Sequence, residues 1–251
     1  MDRGAGIPTL FLHGVPDSGE MWLPLIRRLE SRYRCLAPDL PGLGRSTAPA
    51  DFDLSHENKA RFVDELLNAL EIGEPVNLIV HDFGGHYGLA WAVTHPDRVR
   101  RLAIFSTSFF PDYRWHPGAQ MWRIPVLGEL NLATMPRGMW RATLKSASPA
   151  LPDEVINNGY ELSIKNPAVR QMILRLYRTT DPKGFASWEQ KLLALTKKAP
   201  TLVLWGDRDP FIAKAFADRF GGQVRHFPDN SHWLPVEAPE AVAEALLEFL
   251  A

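Results

Sequence analysis

Six short apolar runs, each closed by turn residues, constrain this chain more than any other feature: "TLFLHG", "YRCLAPD", "PVNLIVHD", "RLAIFST", "TLVLWGD" and "QVRHFPD". Most are too unbroken to be strands with one wet face, so they read as strands of a parallel sheet covered on both sides. Helical patterns fall between them: "SGEMWLPLIRRLESR", "SHENKARFVDELLNALEI" behind a Ser55 N-cap, "GGHYGLAWAVTHPDRV", and "PEAVAEALLEFL" near the end. This repetition of strand and helix predicts an α/β fold, a doubly wound and mostly parallel sheet with helices on both faces.

The alternation breaks once. From about Thr107 to Ala199, Trp, Met, Pro and Arg are plentiful and no strand signal is present. An insertion of that size, on the side where strands end, predicts a helical cap over the ligand crevice of an open sheet. The expected organisation is a core of residues 1–107 and 199–251 with a cap of residues 108–198.

Composition narrows the class of function. A net charge of -1 lacks the basic footprint of a nucleic-acid or anionic-membrane partner, and no apolar run approaches the roughly 18 residues of a membrane span. The single cysteine, Cys35, lies in an apolar run, allows no disulfide within the chain and reads as a small buried hydrophobe, with a cytoplasmic setting as the expectation. No HExxH or CxxC spacing is present, so neither a metal nor an organic cofactor is expected. The expected partner is a small organic molecule, apolar to moderately polar; a homodimer stays open.

The stretch "LIVHDFGGHYG", residues 78–88, sets an aspartate between a strand and a Gly-Gly pair that opens a helix. A sharp turn from strand to helix displays its apical side chain to the crevice, and small residues after it let the helix pack close to the strand. Helix N-terminal N–H groups facing that spot tolerate negative charge and stabilise an oxyanion. Asp82 is therefore a candidate nucleophile, since carboxylates form covalent esters with suitable electrophiles. Read alone, "DFGG" is also what a helix N-cap aspartate looks like. Two further segments change the balance. "LVLWGDRDPF" puts acids just past a later strand and "PDNSHWLPVEAPE" puts His232 past the last one, giving the order nucleophile, acid, histidine at one edge of the sheet. Asp209 is preferred as the acid, with Asp207 as a turn residue and His232 as the base.

With these residues the chain resembles the α/β-hydrolase superfamily over nearly its full length, and within it the aspartate-nucleophile branch of epoxide hydrolases and haloalkane dehalogenases. "HGVPDS", "PDLPGLGRS", "HDFGG" and "GDRDPF" followed by "SHW" carry the resemblance, which is specific in combination. It implies that Val15 and Phe83 lend backbone N–H groups to an oxyanion hole, and that His13 is structural. The chain also departs from the family. It reaches "TLFLHG" without the usual preceding hairpin, which implies a shortened sheet, and it has Val80 where epoxide hydrolases commonly have glycine.

An aspartate nucleophile argues for an electrophilic sp³ carbon, because acyl transfer to a carboxylate would give a mixed anhydride. Haloalkane dehalogenases of the family typically place a tryptophan after the nucleophile and often an asparagine after His-Gly, and fluoroacetate dehalogenases an arginine after the nucleophile. Here Phe83 and Val15 stand in those positions. Epoxide hydrolases use two cap tyrosines, and "LRLYRTTDP" supplies Tyr177 in such a setting, with Tyr113 as the other and Tyr160 as a weaker candidate; core packing is the alternative for each. The expected activity is epoxide hydrolysis to a vicinal diol through an aspartyl ester. Cap residues Trp115, Trp122, Trp140 and Trp188 keep haloalkane dehalogenation as the alternative. The fold also hosts non-catalytic ligand receptors, a further alternative that an intact triad disfavours.

Overall fold

The structure is a computed structural model that describes residues 1–251. Seven strands form one sheet: β1 (Asp2–Arg3), β2 (Ile7–Leu12), β3 (Tyr33–Leu36), β4 (Val76–His81), β5 (Val99–Phe105), β6 (Thr201–Gly206) and β7 (Gln223–Phe227), in the spatial order β1-β3-β2-β4-β5-β6-β7. All pairs are parallel except β1 with β3. The unbroken apolar runs are explained by their place: every residue of β4 and β6 is buried, as parallel strands covered on both faces require. The two-residue β1 closes the edge beside β3. The other edge strand, β7, has a half-exposed pattern, so its run is not a buried one.

Flanking helices come from the expected segments. They are α1 (Leu23–Leu29), α2 (His56–Ala69), α3 (Phe83–Thr94), the short α10 (Leu234–Glu237) and α11 (Pro239–Leu250). Ser55 caps α2, its hydroxyl accepting from the Asn58 N–H. The segment from Ser18 to Arg32 does not make one continuous helix: Gly19–Trp22 is 3₁₀ and α1 starts only at Leu23, with Pro24 in its first turn. Pro fits there because its missing N–H would be unsatisfied anyway. Between β5 and β6 the chain makes α4 (Pro117–Arg123), α5 (Leu127–Ala133), α6 (Arg137–Ala147), α7 (Asp153–Gly159), a π-helical turn at Tyr160–Ile164, α8 (Pro167–Thr179) and α9 (Ala186–Thr196), with no strand. No helix is long and apolar enough to cross a membrane.

The chain runs from β2 outward to β3 and then returns across β2 to β4. That reversal opens a crevice at the carboxyl ends of β2 and β4, where ligands bind in open α/β sheets. The helix after β4 reaches close contact only because its first turn is bare: a Cβ on Gly84 would lie 2.1 Å from the Leu12 carbonyl oxygen, and one on Gly85 2.1 Å from Thr107 Oγ1. Backbone cannot yield as a flexible side chain can. Gly84→Ala is expected to lower stability by about 1–3 kcal/mol, as overpacking does, read from the urea midpoint at unchanged m-value.

Candidate active site

Asp82 is the first residue past β4 and the N-cap of α3, at φ 48° and ψ -125°. A non-glycine residue there is strained and has to be held by its surroundings. The Gly85 N–H and the Thr107 hydroxyl donate to the Asp82 carbonyl at 2.9 and 2.7 Å, and the Asp82 N–H donates to the Ser106 carbonyl at 3.2 Å. The turn aims the carboxylate back over the end of β2. There the Val15 N–H donates to Asp82 Oδ1 at 2.8 Å, and the Phe83 N–H also bonds the carboxylate. Gly14 must be bare for this approach, since a Cβ would sit 2.2 Å from Asp82 Oδ1.

His232, in the loop before α10, turns Nε2 toward Asp82 Oδ2 at 3.9 Å and donates from Nδ1 to Asp209 Oδ2 at 2.8 Å. The other Asp209 oxygen accepts the Phe211 and Ile212 N–H groups at 2.8 and 3.0 Å, which fixes the fully buried carboxylate. Asp207 faces away from this group, bonded to His226 and Lys214. His81, the last residue of β4, donates from Nε2 to the His232 carbonyl at 2.9 Å and anchors the histidine loop. The sequence reading overlooked it, although it immediately precedes Asp82. His13 joins the Gly14 carbonyl through Nδ1 and accepts the Leu40 N–H at Nε2, so both its nitrogens serve loop structure.

A cavity of about 640 Å³ opens above Asp82, lined among others by Val15, Tyr113, Trp115, Tyr177, Phe211 and His232. Tyr177, on α8, packs its ring against Phe83, Trp115 and Trp122 with centroids 5.0–5.1 Å away. Burial raises the pKa of both Tyr113 and Tyr177, and the Asp82 charge raises them further, so both phenols stay protonated. Tyr113 makes one long bond, 3.4 Å, to the Phe211 carbonyl. Tyr160 is not brought to the site; its hydroxyl donates to the Met135 carbonyl and its ring meets Arg137. Trp122 and Trp140 line the cavity, but their indole N–H groups are spent on Asn131 and the Ile156 carbonyl. Trp188 packs on His56 instead, while Trp115 lines the cavity with an unpartnered indole N–H.

Burial pushes the Asp82 carboxyl up, against the charge of His232 and the two backbone N–H groups that favour the ionised form. For His232 burial works against protonation, but the carboxylates of Asp209, Asp82 and Asp17 outweigh it and hold the imidazole at about 9. Asp82 and His232 thus face each other across 3.9 Å, each favouring the charged form of the other. Cys35 is buried in β3, and its thiol is pushed up to about 12 by that burial, which removes it from any nucleophilic role.

A family model for the alpha/beta hydrolase fold matches residues 8–239. The chain belongs to the alpha/beta hydrolase fold family. It is 29% identical to a cis-3-alkyl-4-alkyloxetan-2-one decarboxylase of Xanthomonas campestris, over all of this chain and 91% of that protein. Over 105 residues, 42% of this chain and 34% of the relative, it is 43% identical to a haloalkane dehalogenase of Agrobacterium fabrum. The solved structure of a haloalkane dehalogenase from Agrobacterium tumefaciens superposes with a TM-score of 0.82 at 27% identity, covering 99% of this chain and 90% of that one. This hydrolase therefore carries its carboxylate, imidazole and second carboxylate on the family's own frame.

Because the folded His232 pKa lies above the unfolded value of 6.5, the group contributes stability that is complete below pH 6.5 and is lost as pH rises through about 9. The urea midpoint of the wild type should accordingly exceed that of His232→Gln by its full margin at pH 6, with the margin shrinking steadily to pH 9.5.

Proposed function

We propose that the chain opens epoxides to vicinal diols through a covalent ester on Asp82. The observation that carries this reading is the pair of protonated phenols, Tyr113 and Tyr177, in the same cavity as Asp82. An epoxide oxygen needs such donors as it leaves; a halide needs only weak ones. Val15 and Phe83 offer no side-chain N–H, which further favours an oxygen leaving group.

Asp82 Oδ1 accepts the Val15 N–H while Oδ2 faces His232, so Oδ2 is the attacking atom. It bonds to an epoxide carbon as the C–O bond of the ring breaks and Tyr177, assisted by Tyr113, gives a proton to the ring oxygen. Ester formation removes the Asp82 charge, one of the charges that keep His232 protonated. The imidazole pKa then falls, and Nε2 is freed to take a proton from water as that water attacks the ester carbonyl. Oδ1 carries the resulting negative charge, held by the Val15 N–H that already bonds it and by the Phe83 N–H at the start of α3. Asp209 holds the imidazole orientation throughout.

Haloalkane dehalogenation is the second reading. It draws on the Agrobacterium relatives and on the free indole N–H of Trp115, the one unspent indole donor among the cavity tryptophans. The oxetanone in the name of the Xanthomonas relative is, like an epoxide, a strained ring in which oxygen is bonded to an sp³ carbon. That kinship supports a cyclic oxygen electrophile over a halide.

Asp82→Asn should lose at least about 100-fold in turnover, the usual cost of removing a nucleophile, while keeping its thermal midpoint. His232→Gln should accumulate one substrate mass on the Asp82 peptide, seen by intact-protein and peptide mass spectrometry. Tyr177→Phe should slow ester formation from styrene oxide by about 10- to 100-fold, the worth of a donor to developing charge, with hydrolysis of the preformed ester little changed. Release of bromide from 1-bromobutane at a higher rate than styrene oxide is opened, with Tyr177→Phe neutral and Trp115→Phe severe, would replace the epoxide reading by the dehalogenase.

A further inference from the structure

His116 is a half-buried imidazole in the lining of the Asp82 cavity to which the proposed reaction gives no task. It is the N-cap of α4, early in the helical stretch between β5 and β6. Its ring packs on Phe211 with centroids 4.7 Å apart, and Phe211 packs on His232 at 5.1 Å, so one aromatic ring joins the two imidazoles. On another side it meets the Tyr177 ring edge-on at 6.3 Å. His116 thus lies one ring away from the base and beside the phenol that serves the leaving oxygen.

The bond that starts α4 also fixes which His116 nitrogen carries a proton. Nδ1 accepts the Ala119 N–H at 3.3 Å, so it presents a lone pair. A neutral imidazole that accepts at Nδ1 donates at Nε2, and the cation is excluded while the capping bond stands. Burial, aided by the His232 charge against a weaker pull from Asp209, lowers the His116 pKa to about 4, so the ring is neutral at pH 7. The capping bond is the one hydrogen bond this ring makes within the protein, which leaves Nε2–H unspent. Other polar groups of the lining are placed differently. The indole N–H groups of Trp122, Trp140 and Trp233 are bonded to Asn131, the Ile156 carbonyl and Asp17, and the Thr143 and Ser146 hydroxyls belong to exposed residues of α6.

We infer that His116 is a substrate-binding residue whose Nε2–H takes a second oxygen of the substrate, so that the preferred epoxides carry a hydrogen-bond-accepting oxygen a few bonds from the ring. The inference rests on the epoxide reading of the site and adds a substrate class to it. A molecule that fills this largely apolar cavity displaces water from Nε2. A hydrocarbon epoxide then leaves the donor unpaired, whereas an ether, ester or carbonyl oxygen restores the bond that water made. A site with a fixed donor discriminates in this way, by rejecting the analogue that lacks the acceptor. In the proposed reaction the ring oxygen already has Tyr177 and Tyr113, which leaves the imidazole for a different atom. The capping bond holds the donor in one tautomer, so its role needs no proton transfer.

Butyl glycidyl ether and 1,2-epoxyoctane test this, because they differ by one oxygen in place of a methylene. The ratio of kcat/KM for the ether to that for the alkane epoxide should fall by about threefold or more from wild type to His116→Asn, within the range for one neutral hydrogen bond. Asn still caps α4 through its side-chain oxygen but is too short to donate from the Nε2 position. The ratio also cancels any shift of Phe211 or Tyr177 that the smaller side chain permits, since both substrates meet it. His116→Gln, whose amide reaches about as far as Nε2, should keep part of the preference. A smaller fall in His116→Asn overturns the inference, including equal slowing with both epoxides, which would assign the imidazole to the ring oxygen. One readout needs no substrate: the ¹⁵N shifts of His116 at pH 7 should place the proton on Nε2, and a proton on Nδ1 overturns the inference. Failure of the wild type to form an Asp82 ester with either epoxide overturns the parent reading, and the inference with it. Ester from both with an unchanged ratio in His116→Asn overturns the inference alone.

Discussion

The structure depends on one unfavourable backbone conformation. Asp82 at φ 48° points its carboxylate out of the sheet at the one place where the strand order reverses. Everything nearby is arranged to keep it there. Gly84 and Gly85 remove the side chains that would push α3 away from β2 and from Thr107; Thr107 and Gly85 bond the Asp82 carbonyl; Gly14 lets the β2 loop touch the carboxylate. A strained residue persists only where its surroundings over-determine it, and strain of this kind collects at functional sites.

A second constraint is electrostatic. The charges of three acidic groups, Asp209, Asp82 and Asp17, act on the buried imidazole of His232, and together they outweigh the desolvation that would otherwise keep it neutral. Their environments differ. Asp209 is saturated by backbone N–H groups and His232, Asp82 rests on two N–H groups, and Asp17 has one indole bond and a cleft behind it. In the proposed reaction those differences separate two roles: a fixed carboxylate to orient the base and another to attack.

The helical stretch between β5 and β6 supplies what the sheet cannot. Tyr177 shares a cavity with Asp82 because its ring is wedged among Phe83, Trp115 and Trp122, so the position of the phenol is set by aromatic packing. The same packing engages the tryptophan N–H groups of residues 122 and 140 within the helical segment, away from any ligand. In the proposed reaction, leaving-group chemistry is therefore decided by which polar tips the packing leaves free.

The sequence by itself determined the layered architecture, because unbroken apolar runs alternating with capped amphipathic stretches leave a doubly wound sheet as the way to bury them. It also determined that Asp82, Asp209 and His232 follow strand ends on one edge, since each sits at a turn just past an apolar run. The choice of Asp209 over Asp207 was legible in position, but its reason lies in the Phe211 and Ile212 N–H groups that only the folded loop presents. Other features carried no linear signal. Tyr113 and Tyr160 look alike in the sequence, and only packing brings one to the cavity that Asp82 lines and turns the other to the Met135 carbonyl. His81 and Asp17 look like a strand end and a turn residue. Their partners, His232 and Trp233, are 151 and 216 residues away along the chain. Local propensity cannot encode contacts of that separation, and tertiary structure alone decided them.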